Sequence, residues 1–251
     1  MILAASCSKP HLGVKIPFLA TWGGETIGCS DTPVALSDLR FYISELELLD
    51  SGGRPQRLEL HANLPWQQSD LALIDLENGK GACANGTSDL FAYVVGNAPP
   101  DEYKGLRFTV GVPFDSNHSN PLTASAPLDD PAMHWHWRSG YKFIRAGVKT
   151  ANDGYWIHVG SSGCEGTVGN ISACRFPNRV AVEMKDFVPN ADTVRVDLKA
   201  FFAAIDFDDA EPADCSSGPA ESACVMPFAA LGIDFESGNV AGTQRVFSLH
   251  Q

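Results

Sequence analysis

The chain has no apolar run near the roughly 20 residues that a membrane-spanning helix needs, and no cluster of Lys and Arg anywhere in its 251 residues. The first absence excludes a helical membrane span. The second, with a net charge of -12, argues against nucleic acid and anionic membrane surfaces, which call for clustered cations. There is no Cys-x2-Cys pair of the zinc-binding kind. His-Glu-x-x-His, a glycine-rich phosphate loop and a dinucleotide fingerprint are also missing. No long amphipathic helix, internal repeat or extended linker is visible.

What is present describes a packed protein. Charged residues make up 19% and hydrophobic residues 44%, a balance that excludes disorder. A chain of this length buries roughly three quarters of its unfolded surface. Short apolar segments alternate with turn signals. Val14–Ala20 ends at Gly23-Gly24. Leu39, Phe41 and Ile43 alternate with Arg40, Tyr42 and Ser44, slip at Glu45, and resume as Leu46 and Leu48 opposite Glu47. A slipped period of two marks a β-bulge.

Ser51-Gly52-Gly53 predicts a hairpin turn into a strand over Arg57–Leu60. Further strands are read at Leu71–Leu76, Leu90–Val95, Leu106–Val112, Tyr155–Val159, Val180–Met184, Val194–Leu198 and Phe247–Leu249. Phe201–Phe207 suits strand or helix. Pro227–Leu231 suits one helical turn with proline in first position. The pattern predicts an all-β, single-domain antiparallel sandwich or barrel with long loops and disulfides. That domain covers 14–251, after a signal remnant or lipoprotein linker over 1–13. Leu-Ala-Ala-Ser-Cys7 resembles, one position out of register, the box at which bacterial lipoproteins are lipidated.

Seven cysteines leave Cys7 apart from Cys29, Cys83, Cys164, Cys174, Cys215 and Cys224. The pairs Cys164/Cys174 and Cys215/Cys224 lie in Gly/Ser/Pro-rich loops, where local bridges close easily. Six body cysteines without metal spacing suggest three disulfides and an oxidising compartment, each bridge adding on the order of 2–4 kcal/mol.

The stretch Gly111–Arg145 stands out. It holds a long Asn/Ser/Pro/Asp-rich connection and then Met133-His134-Trp135-His136-Trp137, so that three of the seven His and two of the five Trp fall inside it. A connection of that length in a compact domain is functional or disordered, and this one is too aromatic for a spacer. His61, His118, His134 and His158 fall at strand ends or in loops, near Trp66, Trp135 and Trp137. A single His is usually a hydrogen-bonded or surface residue. Four beside indoles suggest a metal site, since neutral imidazole suits copper and zinc. Such a site would lose affinity below a pH of about 6.5 as free imidazole protonates.

Other constellations are weaker. Gly160-Ser-Ser-Gly163 sets a Ser near His158 without a nucleophile elbow. Asp206, Asp208, Asp209, Glu211 and Asp214 offer oxygen ligands for calcium, or form a solvated loop. Asn85, Asn117 and Asn170 begin glycosylation sequons by pattern only. A metal-free secreted β-sandwich that binds a ligand such as a glycan is the alternative to a metal protein.

Several motifs, in order, resemble the MbnP-like family, the four-Cys-motif copper proteins similar to copper-repressible surface proteins of methane-oxidising bacteria. They are Leu39-Arg-Phe-Tyr-Ile-Ser-Glu-Leu-Glu-Leu-Leu-Asp50, Leu73-Ile-Asp-Leu-Glu-Asn-Gly79 before Cys83, and Gly105-Leu-Arg-Phe-Thr-Val-Gly-Val-Pro-Phe114. They continue with Asn117-His-x-Asn-Pro121, Met133-His-Trp-x-Trp-x-x-Gly-Tyr-Lys-Phe143 and His158-Val-Gly-Ser-x-Gly-Cys164. The likeness runs from about Phe18 to Leu231, with Cys164, Cys174, Cys215 and Cys224 as the four-Cys motif. It implies a secreted or periplasmic, non-enzymatic β protein with a mononuclear copper site beside a Trp oxidised to kynurenine. It also implies a dihaem peroxidase-like cytochrome of the MbnH type as partner. Carried over, His61, His118 and His158 are the first ligands, with His134 in reserve. Trp66 is the first kynurenine candidate and Trp135 the second.

Overall fold

The computed structural model describes residues 10–151, 153–203 and 214–250. In chain order the first strands are β1 (Leu12–Trp22), β2 (Glu25–Thr26), β3 (Ala35–Asp50), β4 (Pro55–Arg57), β5 (Glu59–Leu60), β6 (Leu71–Asp75), β7 (Tyr93–Ala98) and β8 (Tyr103–Val110). After the helical turn α1 (Phe114–Asn117) come β9 (His134–His136), β10 (Gly140–Lys149), β11 (Gly154–Gly160), β12 (Ser162–Thr167), β13 (Asn170–Phe176), β14 (Val180–Lys185) and β15 (Val194–Asp197). Then follow α2 (Leu198–Phe201), α3 (Val225–Ala230) and β16 (Phe247–Leu249). Cys7, Asp206, Asp208, Asp209 and Glu211 lie outside the described residues.

One sheet is ordered β16-β15-β1-β7-β5, with β2 against β1; the other is ordered β11-β10-β3-β8-β14, with β4, β6 and β9 attached. β12 and β13 form a separate hairpin. All named pairings are antiparallel except β1 with β15. The two sheets meet through inward side chains. Phe18 of the first packs edge-on against Phe41 and Phe108 of the second, at 5.7 and 6.0 Å between ring centroids. Phe247 closes on Phe41 at 5.5 Å.

β3 is the spine of the second sheet. Phe41 pairs with Ile144 and Ile74, and Ser44 with Leu71 and Thr109. β10 and β8 therefore follow each other along one edge of β3, while β6 and β4 share the other. The handover from β6 to β4 falls between Ser44 and Glu47, where the register of β3 against β8 also shifts. Glu45 there has φ 56°, so the slipped alternation is a bulge. Strand Arg57–Leu60 is divided: β4 pairs with β3 and β5 with β7, so the chain crosses between sheets at buried Leu58. The strand expected at Leu90 starts at Tyr93 instead, and Leu90 is exposed. Pro227 sits at the third residue of α3, not the first.

Residues Arg40, Tyr42 and Ser44 point away from the main core, yet all three are buried. The long connection after β8 covers them. Tyr42, Leu71, Leu73, Val112, Leu128, Met133, Tyr141 and Phe143 make a second apolar cluster on this outer face. Tyr42 donates to the carbonyl of Pro127 at 2.9 Å, and Tyr141 to that of Leu128 at 2.7 Å. These bonds satisfy hydroxyls that burial would otherwise penalise by about 1–3 kcal/mol. Three disulfides join Cys29–Cys83, Cys164–Cys174 and Cys215–Cys224.

Candidate metal centre

The connection that covers β3 also delivers the imidazoles. It enters through Pro113 and α1, and α1 ends at buried Asn117. The Asn117 side chain accepts from the Tyr141 amide at 2.9 Å and donates to the Ser139 carbonyl at 3.1 Å and to Ser161 Oγ at 3.4 Å. One amide thus ties α1 to the start of β10 and to the turn after β11. Gly140 has φ +78°, and a Cβ there would stand 2.1 Å from the Asn117 carbonyl oxygen, so only glycine fits. With Asn117 buried, its sequon is closed to a glycan.

His118 follows directly and is half-buried. Its Nε2 lies 3.5 Å from Asn117 Nδ2 and 3.5 Å from Cys174 Sγ, with Phe114 edge-on at 5.2 Å. Its Nδ1 is buried. Burial lowers the pKa of the ring, against a smaller upward pull from the Trp137 backbone.

His158 stands on β11. Its ring meets Trp135 edge-on at 6.0 Å and Trp156 at 5.8 Å. Trp135 fills the space above Gly160, where an added Cβ would touch the indole at 3.2 Å. His158 Nε2 is buried and has no hydrogen-bond partner. Burial, then Lys142 and Arg145, push its pKa down to about 4. The ordinary imidazole threshold near 6.5 therefore does not apply to this ring, because a cation there would be desolvated and face two more cations. The His158 amide donates to the Cys215 carbonyl at 2.8 Å, and Ser217 Oγ donates to the His158 carbonyl at 2.9 Å.

Lys142 Nζ stands 5.9 Å from the Trp135 ring centre, and the Arg145 guanidinium 5.5 Å from that of Trp156. Both cations also donate to the Ala132 carbonyl, at 2.9 and 3.3 Å. His134 packs edge-on against Tyr141 at 5.3 Å, and burial, then Lys142 and His136, lower its pKa.

The first-choice residues of the other loop lie elsewhere. His61 is exposed, and its amide donates to the Val95 carbonyl of β7. Trp66 stacks on Phe91 at 5.0 Å and donates through Nε1 to the Tyr93 carbonyl at 3.1 Å. Among the described residues, two groups bring three His, Cys, Asp or Glu ligand atoms within 4.8 Å of one another: His118 with Cys164 and Cys174, and Cys215 with Glu221 and Cys224. Neither contains two imidazoles. His61, His118, His134 and His158 therefore do not close on one point in this conformation. His118 and His158 are nonetheless carried on segments joined by the Asn117–Ser161 bond and the Trp135–Gly160 contact.

Sequence reasoning paired Cys164 with Cys174 but missed that this bridge lies beside His118, and it missed the cations beside Trp135. Cys174 is 56 residues from His118, and no spacing signals that contact. Ser161 Oγ gives its proton to the Pro177 carbonyl and accepts from Asn117, and neither Ser162 Oγ nor His158 Nε2 has a hydrogen-bond partner, so no Ser-His bond forms here. Of the acidic patch only Asp214 is described, and it accepts from the Trp156 amide at 2.9 Å.

Comparisons with known proteins agree with the architecture. The family described as MbnP matches residues 12–217. The solved structure of MbnP from Methylosinus trichosporium is similar, with a TM-score of 0.82 and 26% sequence identity, over 96% of this chain and 98% of that one. No curated protein matches.

Proposed function

The chain belongs to the MbnP family, and from that premise we propose that it is a copper-binding protein of an oxidising compartment. In this reading His118 and His158 are the protein's nitrogen ligands and Trp135 is the indole beside the metal. The observation that carries it is the buried, unpartnered Nε2 of His158, with the His118 ring on a segment bonded to the turn that follows the same strand. A buried polar atom left unpaired is costly, and a bound ion would complete it. Two neutral imidazoles suit copper, and their lowered pKa values keep them neutral and ready to bind. Copper would supply a redox-active ion of soft character.

Trp135 takes precedence over Trp66 as the kynurenine candidate. It touches His158, whereas Trp66 already spends its ring nitrogen on Tyr93. Opening the indole loses one carbon, released as formate, and gains one oxygen, leaving an aromatic amine and a ketone facing the imidazole. The catalyst of that oxidation in this reading is a dihaem peroxidase-like cytochrome of the MbnH type, with a peroxide as the electron acceptor. His61 is not a ligand, and His134, capped by Tyr141, is a lesser one. The protein carries or stores copper and catalyses no reaction itself. Three disulfides, and no helix among the described residues long and apolar enough to cross a membrane, support a periplasmic or surface location.

The test is copper content of protein purified without a His tag, together with peptide mapping. His118→Ala and His158→Ala should each abolish stoichiometric copper, and His61→Ala should retain it. Kynurenine should map to the Trp135 peptide. Copper retained in both His118→Ala and His158→Ala would overturn the ligand assignment.

A further inference from the structure

The disulfide beside His118 has a chemistry of its own. Nε2 of His118 and the two sulfurs of Cys164–Cys174 all lie within 4.8 Å of one another. As a disulfide, the pair offers only weak donors. Reduced, it would present two thiolates and an imidazole around one point. Ligands at about 2.0–2.3 Å from a soft ion stand on the order of 3.5–4 Å apart in trigonal geometry. His118 Nε2 and Cys174 Sγ, at 3.5 Å, already have that separation. Only the two sulfurs would need to part, and they sit on directly paired residues of a two-stranded hairpin.

Asn117 Nδ2 lies 3.5 Å from the same Nε2 that faces the sulfur. Access is uneven among the three bridges. Cys29, Cys83, Cys215 and Cys224 are buried, as is Cys164, while Cys174 is half-exposed in a largely solvent-facing hairpin. Phe114, Asp115, His118, Asn170 and Ile171 line an open cleft at this place.

We infer that Cys164, Cys174 and His118 form a redox-gated site of two sulfurs and one nitrogen, which takes a soft metal ion, Cu(I) or a group-12 dication, once the disulfide is reduced. The electron source is a dithiol: its two thiols become a disulfide as the Cys164–Cys174 bond breaks, each cysteine sulfur gaining one electron and one proton. On binding, the two thiols release those protons and ligate as thiolates. The inference shares His118 with the copper reading above and no other ligand. A neutral imidazole has one lone pair, so the ring serves one site at a time.

Cadmium(II) is the probe, because thiolate ligation gives a charge-transfer absorption that imidazole ligation does not. Copper-free protein is treated with tris(carboxyethyl)phosphine, which takes oxygen from water as it reduces the bridge, and alkylation with peptide mapping identifies the cysteines opened. The expected result is a cadmium charge-transfer band in reduced protein that oxidised protein lacks. Cys164→Ser/Cys174→Ser should lose the band, and His118→Ala should weaken the binding that gives it at least tenfold. His158→Ala should leave the band unchanged, which separates this site from the copper site. No band in reduced protein, a band that survives in the double-Ser variant, or unaltered affinity in His118→Ala would each overturn the inference.

Discussion

Arg40 Nη1 and Asp130 Oδ2 stand 3.3 Å apart across 90 residues of sequence, and this pair fastens the long connection to the outer face of β3. Arg40 is also paired with Asp38 at 2.6 Å, and Arg145 reaches the same Asp38 oxygen at 3.0 Å. Such a network stabilises only while every charge keeps its partner. Arg40→Ala would leave buried Asp38 with Arg145 alone and should cost about 3 kcal/mol, the low end for a broken buried pair, read by chemical denaturation. Asp130→Ala should cost less, because Asp130 is partly exposed. Equal losses would show that the network does not act through burial.

Removing the Cys215–Cys224 bridge tests how His158 is held. The segment at Cys215 lies beside β11, with the Cys215 amide donating to Trp156 at 3.0 Å as well as accepting from His158 through its carbonyl. Cys215→Ser/Cys224→Ser should lower stability by about 2–4 kcal/mol and weaken copper binding, while the domain stays folded by circular dichroism. Unchanged copper affinity in the folded variant would mean that the bridge does not position the ligand.

The buried carboxyl of Asp75 gives stability a pH dependence of unusual sign. Burial, then neighbouring Glu77, raise its pKa to about 8, against the Glu77 amide and Arg40. Its unfolded value is about 3.9. Between those values the native state holds a proton that the unfolded state lacks, so this group makes stability fall as pH rises from about 4 to 8. Asp75→Asn should flatten that slope in urea melts compared at pH values of about 6 and 8. A slope that persists in Asp75→Asn would assign it to another group.

His158 works in the opposite direction. Its ring, depressed to about 4, stays neutral where a free imidazole is charged. Its contribution to stability is full above the unfolded value of about 6.5 and is lost as pH falls toward 4. Ring-proton NMR of metal-free protein should place its midpoint near 4. A midpoint near 6.5 would show that the ring is hydrated.

Gly140→Ala probes the junction of β9 and β10. The left-handed φ alone costs on the order of 1–3 kcal/mol, and the clash with the Asn117 carbonyl should also displace His118. Stability and copper affinity should fall together. A stable variant with full copper affinity would refute the Asn117 anchor.

Much of this was legible in the sequence. The slip at Glu45 is the bulge where β3 changes partners, and the even scatter of short apolar segments is the pair of sheets. The β12–β13 hairpin was not legible, because it faces solvent along most of its length and is closed by Cys164–Cys174, so it needs no apolar alternation. The burial of Arg40 and Ser44 was hidden too, since the cover comes from a segment far along the chain whose polar composition reads as a surface loop. For the site, nearness along the chain misled. Trp66 lies five residues from His61, but its indole packs on Phe91 and Tyr93, while Trp135 and His158, far apart in sequence, are in contact.

The anchoring of the connection by Tyr42, Tyr141 and Arg40 has a consequence for recognition. Because folding itself fixes the backbone around His118 and Trp135, metal uptake brings little further ordering entropy to overcome, and the loaded and empty proteins should share one outline. A protein that must tell them apart cannot rely on a swinging loop. It would have to sense the altered charge at the imidazoles or the changed chemistry of the indole.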